Sequence, residues 1–226
     1  MQQTVLLTGA SGQVGSVIAH TLIGDGYQVI GTVHSEQGLD ELRAAGVDGQ
    51  VLDLTVEADV QSFVDRLDDP PVAAVMTVGG FAMGDLANTS GADLRRMYQL
   101  NFETAYFLVR ALLPVFAGRG GGQFVLIGAR PALDAAAGKD MTAYALSKGL
   151  VFHLADLINA YGRKKRITAT VIVPSIIDTP ANRTAMPDAD PEQWVSREAI
   201  AETVRFILSD AGRQMREGVI KLYNEA

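Results

Sequence analysis

Short apolar runs rich in β-branched residues alternate with stretches of helical spacing along almost the whole of this 226-residue chain. Thr4–Thr8, Gln28–Val33, Gln50–Asp53, Val72–Val78, Gln123–Ile127, Ile167–Val173 and Val219–Tyr223 read as strands. Helical patterns fall between them at Gln13–Asp25, Leu39–Ala45, Glu57–Leu67, Ala92–Leu113, Thr142–Tyr161 and Arg197–Leu208. Strands nearly continuous in apolar residues are buried on both faces, so the expected fold is α/β: a single-domain, doubly wound parallel sheet of about seven strands with helices on both sides. There is no internal repeat. Gly118–Gly122 reads as a helix stop, and Pro180–Trp194, polar and with three prolines, reads as a long loop with short helical pieces over a functional site.

Composition narrows the functions such a fold can carry. The formal net charge is −7, which argues against nonspecific nucleic-acid binding and against attachment to an anionic membrane surface. The chain has no cysteine, so thiolate and disulfide chemistry are excluded, and its three histidines (His20, His34, His153) are too dispersed for a zinc cluster. No metal site is expected. The N-terminus has neither a basic region nor a long apolar run, and no uninterrupted apolar run reaches membrane-spanning length, so a cytoplasmic protein acting on a small molecule is the expectation.

Thr8-Gly9-Ala10-Ser11-Gly12-Gln13-Val14-Gly15 links the first strand to the first helix. An ordinary strand–helix turn explains such glycines, but so does a dinucleotide site. In the latter, Gly9 makes the tight turn, Gly12 admits a diphosphate and Gly15 lets the helix pack closely, while Ser11, Gln13 and Val14 complete the cradle at the helix N-terminus. The second strand ends without an acidic residue in the position that would bind an adenosine ribose. Val33 stands there, and Thr32, His34 and Ser35 leave room for a 2′-phosphate, which favours NADP(H) over NAD(H). Glu36 could still reach a ribose and favour NADH. Asp53 and Leu54 either read an adenine edge or begin a helix, with Asp53 as its cap. Gly79 and Gly80 either admit a cofactor over the sheet edge or form a plain turn.

Tyr144 and Lys148 are four residues apart at the start of a long helix and share a face. A lysine ammonium beside a phenol favours the phenolate, so a lowered Tyr144 pKa is expected. Such a tyrosine can give a proton to a substrate as hydride arrives from a nicotinamide.

With this pair downstream of the glycine turn, the chain resembles the short-chain dehydrogenase/reductase family over essentially its whole length. The resemblance implies that Tyr144 and Lys148 are the catalytic pair, with Lys148 also holding the nicotinamide ribose. Asn101 then supports a water leading to the lysine, and Pro174, Ile177 and Thr179 form the segment contacting the carboxamide. It further implies a homodimer or homotetramer built on the two long helices. The family's usual serine is missing: Ala129 stands in its place, and no serine occurs between Ser90 and Ser147. In this, and in Gly128–Asp134, Asp178–Arg183, Met186–Asp190 and Trp194, the chain is similar to the dihydropteridine reductase branch. That likeness implies a quinonoid dihydropterin or a related conjugated C=N or C=O substrate, with Ala129, Arg130, Asn182, Arg183, Met186 and Trp194 around it. Val29–Glu36 looks instead like bacterial 3-oxoacyl carrier-protein reductases. A general carbonyl reductase and a nonenzymatic NADPH-sensing protein are the competing readings. Phe81, beside Met186 and Trp194, either lines the substrate site or packs a loop.

Overall fold

The structure is a computed structural model and describes residues 2–226. Seven strands, β1 (Thr4–Thr8), β2 (Gln28–Val33), β3 (Asp48–Val51), β4 (Ala73–Met76), β5 (Gly122–Ile127), β6 (Ile167–Pro174) and β7 (Val219–Leu222), form one sheet in the order β3-β2-β1-β4-β5-β6-β7. Every pairing is parallel. The order reverses between β1 and β4, and in open parallel sheets ligands bind at such a switch point, beyond the carboxyl ends of the strands.

The sheet's period of two divides its side chains between two cores. Leu6 and Ala74 point toward α3 (Glu57–Asp65), α5 (Thr104–Arg119) and α7 (Thr142–Gly162), and join Phe63, Leu108, Phe116 and Leu154. Val5, Leu7 and Val75 point the other way and join Ile18, Leu42 and Ile200 of α1 (Gly15–Gly24), α2 (Glu36–Ala44) and α9 (Arg197–Leu208). Burying each of these large side chains contributes about 1.5–3 kcal/mol, which explains why the central strands tolerate few polar residues.

Three differences from the sequence expectations have local causes. The first helix begins at Gly15 rather than Gln13, because residues 9–14 are spent on the turn. The third strand ends at Val51 and leaves Asp53 outside it, since the Asp53 carboxylate accepts from both the N–H and the hydroxyl of Thr55. The long helix expected over Ala92–Leu113 runs from Gly91 to Arg119. A Ser90–Asp93 capping box starts its first segment, α4 (Gly91–Tyr98), and left-handed Gly120 ends α5. Pro114 lies inside α5 without stopping it. Between α4 and α5, Gln99–Glu103 forms a π-helical turn.

The Gly91–Arg119 helix is long and apolar enough to cross a membrane by length and composition, which the sequence reading did not expect. Its buried face, however, packs Phe116 against Phe124 of β5, with ring centroids 4.8 Å apart, as a core helix does. The loop over residues 180–195 contains α8 (Pro180–Ala185) and a 3-10 turn at Pro191–Gln193; α6 is the short Ala135–Gly138.

Candidate active site

The glycine turn sits at the switch point, where Thr77 ties the ends of β1 and β4 together. Its hydroxyl donates to the Thr8 carbonyl at 2.6 Å, and its N–H donates to the Thr8 hydroxyl at 3.2 Å. Gly9 has φ +64°, and a Cβ on Gly15 would lie 2.1 Å from the Gly9 carbonyl oxygen. Only glycine fits either position. Gly12 is less confined, with 3.1 Å from a Cβ to that same oxygen. The N–H groups of Ser11, Gln13 and Val14 have no hydrogen-bond partner among the described residues, so the mouth of α1 presents free donors.

A cleft of about 750 Å³ opens in front of them. Gly9, residues 11–15, His34, Asp53, Leu54 and Gly79 all line it. Two features here add to the sequence reading. The Thr32 hydroxyl is buried in the wall with no partner among the described residues. Arg197, 184 residues from Gln13 in sequence, donates to the Gln13 side chain at 3.1 Å, a link no local pattern could reveal.

Other residues are placed differently from the expectation. Ser35 does not line the cleft; its hydroxyl accepts from Gly38 N–H and caps α2. Val33 turns into the core beneath α2, so the exposed side chain at the strand end is His34. Glu36, in the first turn of α2, is not part of the cleft. Asp53 is not a helix cap, because Val56 holds that position before α3. Its two bonds to Thr55 hold the Asp53 carboxyl below the usual carboxylate range.

Lys148 is 6% exposed, and its Nζ donates to the Ile127 carbonyl at 2.9 Å. A pocket of about 10 Å³, room for about one water, lies against Lys148 and Asn101 and shares Leu54, Val78 and Thr104 with the large cleft. Asn101 lies in the π-helical turn, a geometry that recurs at functional sites. Its Oδ1 accepts from Gly80 N–H, and its Nδ2 donates to Gly80 O and to Ser147 Oγ. Gly80 therefore anchors Asn101 and does not line the cleft.

The ring of Tyr144 meets Phe81 edge-on, 5.1 Å between centroids, and no described residue hydrogen-bonds its hydroxyl. The expected lowering of its pKa by Lys148 is not found. Burial pushes the Tyr144 phenol up to about 12 and the Lys148 ammonium down to about 8. Both shifts have one cause, since a poorly solvated site disfavours each group's charged form. A phenol so placed keeps its proton at neutral pH and is available as an acid.

Around the expected substrate region, Ala129 is 3% exposed at the end of β5 and offers only a methyl group. Ser147 and Ser175 do not replace the missing hydroxyl, for they donate to the carbonyls of Tyr144 and Tyr223. Four residues expected to face a substrate are used by the local architecture instead. Arg130 donates to the Ala226 carbonyl and lies 5.1 Å over the Tyr223 ring. Arg183 forks onto Asp178 at 2.6 and 2.8 Å, Asn182 donates to the Ile177 carbonyl, and Trp194 is buried. Met186 is half-buried. Pro174 ends β6, Thr179 caps α8, and the Ile177 N–H has no partner among the described residues. None of these three lines the large cleft.

Comparison with known proteins identifies the family. The family model described as short chain dehydrogenase matches residues 3–190. An uncharacterized oxidoreductase, YbbO of Escherichia coli (strain K12), is 28% identical over 183 residues, 79% of this chain and 67% of its own. The 3-oxoacyl-[acyl-carrier-protein] reductase FabG of Salmonella typhimurium is 25% identical over 219 residues, 91% of this chain and 89% of its own. A short-chain type dehydrogenase/reductase from Mycobacterium ulcerans superposes with a TM-score of 0.90 at 22% identity, covering 100% of this chain and 90% of that one. A structure of ElxO with NADP bound superposes at 0.91 and 18% identity, covering 98% and 97%. The chain belongs to the short-chain dehydrogenase family and is an NAD(P)-dependent oxidoreductase.

Proposed function

We propose that this protein is an NADPH-dependent reductase of a small conjugated C=N or C=O compound, with quinonoid dihydropterin the leading substrate and Tyr144 the proton donor. The observation that carries this is a half-buried phenol whose poorly solvated setting keeps it protonated, near a β5 end where Ala129 supplies no hydroxyl to grip a carbonyl. A substrate whose own conjugation polarises the reacting bond has less need of that grip.

The cleft fits a dinucleotide. Its free N–H groups at the mouth of α1, its glycines that exclude a Cβ and the orphaned Thr32 hydroxyl all answer to a polar, phosphate-bearing ligand. When bound, a reduced nicotinamide supplies hydride. Ser11, Gly12, Gln13 and Val14 would hold the diphosphate, Asp53 and Leu54 the adenine, and Lys148 and the Ile177 N–H the nicotinamide end. His34 at the cleft wall, with no carboxylate lining the β2 end, supports NADPH, as does the NADP bound in ElxO. Tyr144 holds a proton on its Oη for the substrate. Lys148, one helical turn further along the same face, carries a positive charge at neutral pH, and the one-water pocket lies against it.

The likeness to FabG favours a second reading, a 3-oxoacyl-type carbonyl reductase in which a water replaces the serine. A turnover panel containing quinonoid dihydropterin, simple ketones and a 3-oxoacyl thioester, run with NADPH and with NADH, separates the two. Oxidation of NADPH driven by the pterin supports the proposal. Turnover confined to ketones or the thioester transfers support to the second reading, and cofactor binding without turnover of any of them defeats both. The exposed apolar side chains Leu94, Tyr98 and Tyr106 on the long helix, with Leu150, Leu157 and Tyr161 on α7, support a homodimer or homotetramer.

A further inference from the structure

At the opposite end of the sheet from the cleft, four arginines surround a second pocket of about 460 Å³. Its walls come from residues at or just before the amino ends of β1, β4, β5 and β6, with buried Gln123 and Thr168 among them. Arg119 enters from the end of α5, Arg166 from the turn before β6, and Arg213 and Arg216 from the segment between α9 and β7. None of the four forms a salt bridge among the described residues. Their bonds go to uncharged groups: Arg119 to the Pro70 carbonyl, Arg213 to the Leu208 carbonyl and the Gln3 side chain, and Arg216 to the neighbouring Met215 carbonyl. Of the carboxylates near these segments in sequence, Asp69 accepts from the Thr4 hydroxyl and Glu217 pairs with Arg163.

Such a cluster runs against the net charge of −7 and is self-repelling as it stands. It is also held in place at a backbone cost. Arg166 has φ +55°, a left-handed conformation uncommon outside glycine, asparagine and aspartate. The Gly120–Gly121 turn, both residues at positive φ, closes tightly on it, so that a Cβ on Gly121 would lie 2.8 Å from the Arg166 carbonyl oxygen. Gly122 N–H completes the contact by donating to that carbonyl. The volume lies in the range of small-ligand sites, about 300–1,000 Å³, and guanidinium forks match the oxygens of phosphate and carboxylate.

We propose that this pocket binds a small multivalent oxyanion, one carrying two or more phosphate or carboxylate groups, at a site separate from the cofactor cleft. A single small anion cannot satisfy four forks that enter from three chain segments. A multivalent one neutralises them together and ties the α9–β7 connection to the starts of β5 and β6.

The test is calorimetric titration with inorganic pyrophosphate, and separately with citrate, in the presence of saturating NADPH so that the glycine turn does not contribute. The comparison variant is Arg166→Asn with Arg216→Gln; asparagine tolerates the left-handed backbone, and an unchanged melting temperature without ligand shows that the variant folds. The expected result is one site per chain in the wild type, at least about tenfold weaker in the variant, with a matching loss of the ligand-induced rise in melting temperature. Preference for pyrophosphate assigns a phosphate ligand, and preference for citrate a polycarboxylate. Absence of binding to the wild type, or equal binding to the variant, overturns the proposal.

Discussion

Gly80 and Asn101 bind each other twice: the Gly80 N–H donates to Asn101 Oδ1 at 2.8 Å, and Asn101 Nδ2 donates back to the Gly80 carbonyl at 3.1 Å. The pairing fixes the chain leaving β4 against the π-helical turn, and through Ser147 Oγ against α7. Replacing Asn101 with Ala leaves buried polar groups unpaired, at about 1–3 kcal/mol each. The expected outcome for Asn101→Ala is a melting temperature lower by about 5 °C or more together with reduced turnover. Asn101→Asp keeps the acceptor and loses the donor, so it falls between the two. Thermal denaturation and steady-state kinetics on the three proteins check this order.

Lys148 is expected to set the alkaline limit of activity. Its pKa is pushed down to about 8 while Tyr144 stays protonated to about 12, so kcat/KM for reduction falls as pH rises through about 8, and the acid in question is the ammonium. Lys148→Arg keeps its charge and moves this limb to higher pH at lower overall activity. Stability moves in the opposite sense. Between about 8 and the ordinary lysine value of 10.5 the unfolded chain binds the extra proton, so this residue's contribution to folding rises with pH across that window. Lys148→Met removes that slope, which denaturant titrations at pH 8 and 10 measure.

His34 is the exposed side chain where β2 meets the cleft, while Val33, which also lines it, is buried against α2. A carboxylate at His34 accepts from ribose hydroxyls and repels a 2′-phosphate. His34→Asp is expected to lower kcat/KM for NADPH by about tenfold or more and to raise the ratio of NADH to NADPH use. Parallel kinetics with the two cofactors test it, and an unchanged ratio places the 2′ position elsewhere.

Gly12 and Gly15 separate binding from folding. A Cβ on Gly15 collides with the Gly9 carbonyl at 2.1 Å, whereas one on Gly12 meets the same oxygen at a tight 3.1 Å. Gly15→Ala is expected to lower the melting temperature by several degrees and to lose cofactor binding. Gly12→Ala is expected to fold and to bind cofactor more weakly. Equal melting curves for the two variants contradict the assignment.

The doubly wound sheet was legible because it is written in local signals. The glycine turn and the buried strands both act within a few residues. The Tyr144–Lys148 pair is read from its spacing on one helix face, and Asn101 from a family resemblance that joins distant segments. What escaped was set by tertiary contact. The Gln13–Arg197 bond, the turn of Val33 into the core and the spending of Arg130 and Arg183 on Tyr223 and Asp178 depend on what lies opposite each side chain in space. The Tyr144 pKa was misjudged because the sequence shows a neighbouring charge but not the burial that outweighs it. The arginine pocket takes its four arginines from three distant segments and has no linear signature.

The most direct test of the account is single-turnover reduction by Tyr144→Phe, with cofactor affinity measured on the same protein. No described residue depends on the Tyr144 hydroxyl for a hydrogen bond, and the ring's contact with Phe81 survives the change, so the variant is expected to fold and bind cofactor as the wild type does. Its rate of reduction is expected to fall by about 10²–10⁴-fold. A rate within threefold of wild type, at unchanged cofactor affinity, would contradict the assignment of that phenol as the proton donor.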